Sequence, residues 1–311
     1  MSETRAVVVD PESPGRLVLR GVPDPAPDRG EAVVRVRAIS LNRGEVRRSM
    51  MAAAGWRPGW DLAGTVERAA ADGSGPKGGA RVVGFLPEGA WAERVAVPTH
   101  ALAELPEKVT FAQAATFPVA GLTALHALGK NGMILGKRVL ITGATGGVGD
   151  FAVQLARLGG AHVTATARRA DQAAALRQLG AHEVTVGDEI PPAPKYDLVL
   201  ESVGGRTLGT ALAALERGGV CVTLGVSATA EVTFDARSFF VAGRTTLYGF
   251  YLFTELGHEP AALGLRRLAD LVAAGQLAPH ISVERPWTDI AQVAADLIAR
   301  TYPGKAVLTV G

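Results

Sequence analysis

Two adjacent guanidiniums, Arg168 and Arg169, follow a glycine-dense turn, Thr142-Gly143-Ala144-Thr145-Gly146-Gly147-Val148-Gly149. Their distance from the turn is about 20 residues, the separation at which dinucleotide-binding proteins place the group that reads the adenosine ribose. A carboxylate there would bond the 2′-hydroxyl of NAD. Guanidiniums suit the 2′-phosphate of NADP, which they can clamp with bidentate, charge-assisted bonds. A solvated arginine pair on a loop is the competing reading. The turn itself follows Val139–Ile141, a short aliphatic run suited to a buried strand. It leads into Val148, Ala152, Leu155 and Ala156, spaced as one face of a helix. Strand, tight turn and helix aim backbone N–H groups at a phosphate, and side chains in the turn would hold the pyrophosphate off. The pattern is Ala144-x-Gly146-x-x-Gly149, with alanine where the usual fingerprint has its first glycine. NADP(H) is the expected cofactor.

The elements around that turn alternate. Strands are expected at His162–Ala167, Glu183–Val186, Tyr196–Ser202, Val220–Leu224 and Thr245–Phe250, with helices at Val148–Leu158, Asp171–Leu179 and Thr207–Arg217. A proline run, 191–194, leads into the fourth strand. Such alternation builds a parallel, doubly wound sheet whose ligands sit at the carboxyl ends of the strands. Before it, six short strands (Ala6–Val9, Leu17–Leu19, Glu31–Ile39, Leu62–Ala69, Arg81–Phe85, Trp91–Val97), with no long helix among them, suggest an antiparallel barrel or sandwich. A helical pattern over Thr110–Leu128, broken or kinked at Pro118, bridges the two parts. After Glu255 come helices at Pro260–Ala274 and Thr288–Arg300, a strand near His280–Val283, and a last strand, Ala306–Val310, which can return to the first domain.

The chain has 311 residues and a net charge of +2, which favours neither nucleic acid nor an anionic membrane surface. No apolar run reaches the roughly 18 residues of a membrane span, and residues 1–5 lack a signal peptide's apolar core. The single cysteine, Cys221, precludes an internal disulfide, and the cytoplasm is the expected compartment. Six histidines without a His-x-x-x-His pair offer no zinc spacing, so no metal is expected.

Several motifs then recur in a meaningful order: Asn42-Arg43-Gly44-Glu45, Pro58-Gly59-Trp60-Asp61-Leu62-Ala63-Gly64, Gly121-Leu122-Thr123-Ala124, the glycine turn, Glu201-Ser202-Val203-Gly204-Gly205, and Gly304-Lys305-Ala306-Val307. Together they resemble the medium-chain dehydrogenase/reductase superfamily, in its zinc-independent quinone oxidoreductase (zeta-crystallin-like) and enoyl reductase branch. The resemblance implies an α/β fold: a GroES-like β-barrel domain, 1–121 with 256–311, joined to a Rossmann NADP(H)-binding domain, 122–255. It implies NADPH-dependent, zinc-independent hydride transfer to a quinone or an α,β-unsaturated carbonyl. The alternatives are a tailoring enoyl reductase on a polyketide-like or CoA-linked substrate, and a non-catalytic NADPH-binding sensor or structural protein. It also implies a homodimer formed through the sheet edge at Thr245–Phe250. Where the branch reads Asn-aromatic-x-Asp, this chain has arginine and a longer carboxylate, which leaves the substrate open.

By resemblance, Asn42 and Thr123 lie near the nicotinamide. Thr145, Gly146, Gly147 and Val148 face the pyrophosphate, Ser202, Val203, Gly225, Val226 and Phe250 line the nicotinamide side, and Lys305 and Arg300 match basic residues near the cofactor phosphates. Asn42 and Thr123 can instead bond their own backbones, and Lys305 can be an ordinary surface lysine. Glu45, Arg48, Trp56 and Trp60 flank the expected substrate mouth, where a solvated charged turn is the other reading for Glu45 and Arg48. Tyr248 and Tyr251 are candidate proton donors beside water.

Overall fold

The computed structural model describes residues 3–188, 190, 191 and 193–311. Pro192 of the expected proline run lies outside them. The chain divides into two units, Met1–Leu122 with Leu256–Gly311, and Thr123–Glu255.

The second unit holds a six-stranded, wholly parallel sheet. Its strands are Arg138–Ile141, His162–Ala167, Glu183–Val186, Tyr196–Glu201, Leu215–Thr223 and Thr246–Gly249. Numbered within the unit, they run 3-2-1-4-5-6 across the sheet, the dinucleotide-binding order, in which the direction of winding reverses between the first and fourth strands. The helices Gly147–Leu158, Ala173–Gln178, Gly205–Ala213 and Ala236–Ala242 connect them. Leu140, Tyr196, Val199, Leu208, Leu212, Leu215 and Cys221 form one packed apolar cluster. The expected helix through Arg217 stops at Ala213, because Leu215 is claimed by the sheet, pairing with Tyr196 and lying 1% exposed. Residues 216–219 then bulge out before pairing resumes at Val220. The short helix Ala236–Ala242, absent from the sequence reading, buries none of its residues and so carries no apolar signal.

The first unit is largely antiparallel. Its main sheet runs Ile281–Pro286, Lys305–Thr309, Glu31–Ser40, Asp61–Arg68, Arg81–Phe85, Leu102–Glu104, with Arg94–Pro98 pairing on Glu31–Ser40. Glu31–Ser40 is its organising strand. Its start pairs with Arg94–Pro98, and its end, Ala38–Ser40, pairs with Thr309–Val307 of the C-terminal strand. Glu3–Val9 and Leu17–Pro23 form a separate hairpin. A nine-residue helix, Arg43–Met51, which the sequence reading did not identify, follows Glu31–Ser40. The bridging pattern at Pro118 resolves into Phe111–Ala115, a wide π-type turn at Phe117–Gly121, and Leu122–Leu128. Among the described residues no helix is long and apolar enough to cross a membrane.

Candidate functional site

Because the six strands of the second unit are parallel, their carboxyl ends share one edge of the sheet. The glycine turn leaves the first of them. Gly143 has φ +58°, and a Cβ there would sit 2.4 Å from Ser202 Oγ. At Gly149 a Cβ would meet Ala144 Cα at 2.5 Å and the Gly143 carbonyl oxygen at 2.6 Å, so glycine lets helix Gly147–Leu158 start tight against the turn. Gly146, exposed, begins that helix, and no side chain caps it. Thr145, Gly147 and Val148 are half-buried beside it. A turn built this way presents the first N–H groups of a helix to an anion, and it fits a pyrophosphate.

A buried network fixes the neighbouring loop. Thr142 Oγ1 accepts from the Ser202 N–H at 3.0 Å and donates to Glu201 Oε1 at 3.1 Å, while Ser202 Oγ donates to the Thr142 carbonyl at 3.1 Å. Glu201 is fully buried and accepts the N–H groups of Val203 at 2.8 Å and Gly204 at 3.1 Å. Burial pushes its pKa up, against the pull of those donors. The Ser227 and Ala228 N–H groups donate to the Ser202 and Val203 carbonyls at 3.0 and 2.8 Å. These bonds close the loop carrying Gly225 and Val226 onto the one carrying Ser202 and Val203. Thr142 and Glu201 were not among the expected site residues. The signal was present as a Thr ending one strand and a Glu ending its neighbour.

Further along the edge, Phe250 is buried and its N–H donates to the Thr223 carbonyl at 2.9 Å. Tyr248 Oη donates to Glu255 Oε1 at 2.6 Å, and Lys130 Nζ donates to Glu255 Oε2 at 2.5 Å while lying 4.8 Å from the Tyr248 ring centre. Burial opposes charge on both partners, but their mutual bond prevails, raising the Lys130 pKa and lowering that of Glu255. The Tyr248 proton is therefore committed to a carboxylate. Tyr251 is 62% exposed, stacked on Phe253 with ring centres 5.0 Å apart. Thr123 is buried in Leu122–Leu128.

Arg168 and Arg169 lie exposed just past His162–Ala167. They are not a matched pair. Arg169 grips Asp171 through two bonds, Nε to Oδ1 at 3.0 Å and Nη2 to Oδ2.

In the first unit the expected site residues turn inward. Glu45, placed by the sequence at a substrate mouth or on a solvated turn, is 0% exposed on helix Arg43–Met51. Its Oε1 accepts the Asn42 N–H at 2.7 Å and the Asn42 amide at 2.9 Å, and its Oε2 accepts the Trp60 N–H at 2.8 Å. Asn42-x-x-Glu45 is the spacing by which a third-position Glu reaches back to the start of its helix. Lys305 is also no surface lysine, being 4% exposed. Its ammonium donates to the Leu41 carbonyl at 3.0 Å, Asn42 Oδ1 at 2.6 Å and Asp61 Oδ2 at 3.3 Å, which uses its three donors and leaves none for a cofactor phosphate. Asp61, 0% exposed, also accepts from Ser40 Oγ at 2.5 Å, the Asn42 amide at 2.7 Å and the Val119 N–H at 2.9 Å. Burial first, then the neighbouring Asp61 charge, raises the Glu45 pKa well above its ordinary value. Trp60 is half-buried. Arg48 lies 4.7 Å over the Trp56 ring, and Trp56 Nε1 donates to Glu88 Oε2 at 3.0 Å, so these two sit in a surface cluster with Glu88. Arg300 adopts a left-handed conformation, φ 61°, to end helix Ile290–Ala299. Among the described residues no three His, Cys, Asp or Glu side chains are grouped to hold a metal ion.

Comparison with known proteins agrees with this architecture. Residues 28–107 match the alcohol dehydrogenase GroES-like domain, and residues 147–266 match a family described as zinc-binding dehydrogenase. A chloroplastic quinone oxidoreductase of Triphysaria versicolor is 36% identical over 63% of this chain and 67% of its own length. A chloroplast envelope quinone oxidoreductase homologue of Arabidopsis thaliana is 30% identical over 92% of this chain and 90% of its own. The solved structure of mycobacterial Rv1454c complexed with NADPH is 25% identical and superposes with a TM-score of 0.87, covering 98% of this chain and all of that one. The chain belongs to the quinone oxidoreductase family of medium-chain dehydrogenase/reductases, and is an oxidoreductase of the class that uses a nicotinamide cofactor.

Proposed function

We propose that this protein reduces a quinone or an α,β-unsaturated carbonyl with NADPH, by hydride transfer and without zinc, with the cytoplasm as its compartment. The observation that carries the reading is the turn Thr142–Gly149, cradled by Gly143 and Gly149, with the exposed Arg168 one strand away. In this reading the N–H groups of Gly147 and Val148 hold the pyrophosphate beside Gly146, whose own N–H donates to the Gly143 carbonyl at 3.0 Å, and Arg168 meets the 2′-phosphate. Ser202, Val203, Gly225, Val226 and Phe250 line the nicotinamide, in loops already tied together by hydrogen bonds. When bound, the cofactor supplies the hydride; the chain supplies position and electrostatics. An electron-poor carbon accepts hydride without a Lewis acid when backbone N–H groups or hydroxyls stabilise the developing enolate or quinol oxygen. The first unit supports the zinc-free part. Asn42 Oδ1 and Asp61 Oδ2, oxygens a cation would seek, are already held by the Lys305 ammonium. Protonation falls to water or to the exposed Tyr251, since the Tyr248 proton is given to Glu255.

Oxidation of NADPH and of NADH, followed with a benzoquinone, a phenanthrenequinone, an alkyl enone and an enoyl thioester, with and without EDTA, tests this directly. NADPH-selective turnover of quinone or enone, indifferent to EDTA, is expected. Turnover of the thioester alone would move the protein to the tailoring class, and binding without turnover would make it a sensor. EDTA-sensitive activity would end the zinc-free assignment.

We also propose that two copies associate through strand Thr246–Gly249. It pairs on one side with Leu215–Thr223, and Leu247 is 43% exposed. Phe240 and Val241, on the helix preceding it, are 68% and 67% exposed.

A further inference from the structure

The Arg169–Asp171 pair sits where the two nicotinamide nucleotides differ, and it contains both kinds of group that tell them apart. A guanidinium at this place favours the 2′-phosphate of NADP; a carboxylate favours the 2′-hydroxyl of NAD. Here the two are bonded to each other, through Nε to Oδ1 at 3.0 Å and Nη2 to Oδ2. The geometry uses both carboxylate oxygens and the guanidinium's fork-shaped edge, the same edge that would grasp a phosphate. Three further features hold the pair in place. The Arg169 N–H donates to Gln172 Oε1 at 3.3 Å, Arg169 precedes the tight turn Ala170–Gln172, and Asp171 lies within that turn. Arg168, its neighbour, makes no ion pair among the described residues that would compete in this way.

We propose that Arg169 and Asp171 mask one another, so that Arg168 alone sets the preference for NADPH and each member of the pair suppresses the opposite preference of the other. This rests on the nucleotide reading above and adds to it a specificity determinant, Asp171. The consequence is a pair of opposite signs from breaking one bond. Asp171→Asn removes the carboxylate's claim and releases Arg169 toward the 2′-phosphate, so NADPH tightens. Arg169→Ala releases Asp171, which can accept from the ribose hydroxyl of NADH and repels the 2′-phosphate, so preference moves toward NADH. Both residues are exposed, and exposed pairs are worth little. The change in the ratio of NADH to NADPH dissociation constants is therefore modest, about two- to fivefold in each direction.

The test is a fluorescence or calorimetric titration of NADPH and NADH with the full-length wild type, Asp171→Asn, Arg169→Ala and the double variant, with thermal melts to show that all four are folded. The expected ratio rises in Asp171→Asn, falls in Arg169→Ala, and returns near the wild-type value in the double variant. Ratios unmoved in both single variants, or moved in the same direction, overturn the masking while leaving NADPH binding by the wild type intact. Failure of the wild type to bind either nucleotide overturns the nucleotide reading itself, and the masking with it.

Discussion

Two buried carboxylates and one ammonium cannot all be charged without cost, and Glu45, Asp61 and Lys305 are in that position. Lys305 is the cation that the cluster's oxygens face. Lys305→Met leaves Asp61 buried against a neutral side chain. The expected loss of stability is about 3–5 kcal/mol, read as a lower urea midpoint; a loss below about 1 kcal/mol, the range of exposed pairs, would contradict the burial argument. Glu45 gives a pH signature. Its pKa is raised from 4.5 chiefly by burial, with Asp61 adding to it. The folded state thus keeps a proton that the unfolded chain has released, so stability falls as pH rises above 4.5 toward the folded value. Glu45→Gln removes that slope, and urea midpoints measured across the acidic-to-neutral range should be flatter than those of the wild type. Parallel curves would show that the carboxyl does not carry the proton. The sequence marked Asn42 and Lys305 through family likeness, but it could not show their direction. A lysine just before a strand looks alike whether it meets water or an Asp from a distant strand, and only the pairing of Val307 with Ser40 brings Lys305 to Asp61.

At the scale of elements, helix Gly147–Leu158 depends on a missing side chain. Gly149→Ala would place a methyl 2.5 Å from Ala144 Cα and 2.8 Å from its carbonyl carbon. Both are backbone atoms, so the helix must back away from the turn rather than a side chain moving aside. A cost of about 1–3 kcal/mol is expected, together with weaker NADPH binding, because the same shift moves the N–H groups at the head of the helix. A variant with wild-type stability and affinity would show that the turn tolerates the displacement. The alternation of strands and helices in this unit was readable where an element carries its own apolar period, as Gly147–Leu158 does and Ala236–Ala242 does not. Arg43–Met51 was not readable for the converse reason. Its buried residues are Glu45, Val46 and Ser49, so it shows no apolar stripe, and its one legible mark was the Asn42-x-x-Glu45 cap. The overrun past Ala213 has another cause. Leu215, Glu216 and Arg217 are good helix formers, and long-range pairing with Tyr196 overrides local preference.

At the scale of the whole molecule, the edge of the parallel sheet is the feature that a solitary chain would have to protect. Edge strands invite pairing unless they are charged, bulged or covered. Thr246–Gly249 carries no charged residue, and Leu247 on it is exposed, as are Phe240 and Val241 on the helix before it. Closed twofold pairing, in which the same strand meets itself across an axis, would satisfy this edge in both copies. Sedimentation or light scattering of the wild type should then give the mass of two chains, with a melting temperature that rises with concentration. Leu247→Lys sets a charge on the strand and, in a twofold pair, brings two like charges close together. That variant should run at the mass of one chain while keeping its secondary structure, since Leu247 is exposed and its loss opens no cavity in the core. If the wild type is monomeric, or Leu247→Lys keeps the doubled mass, association through this edge is wrong. In the second case the copies must meet elsewhere, because a lysine facing its own copy across a shared strand is repelled where the leucine it replaces would be buried.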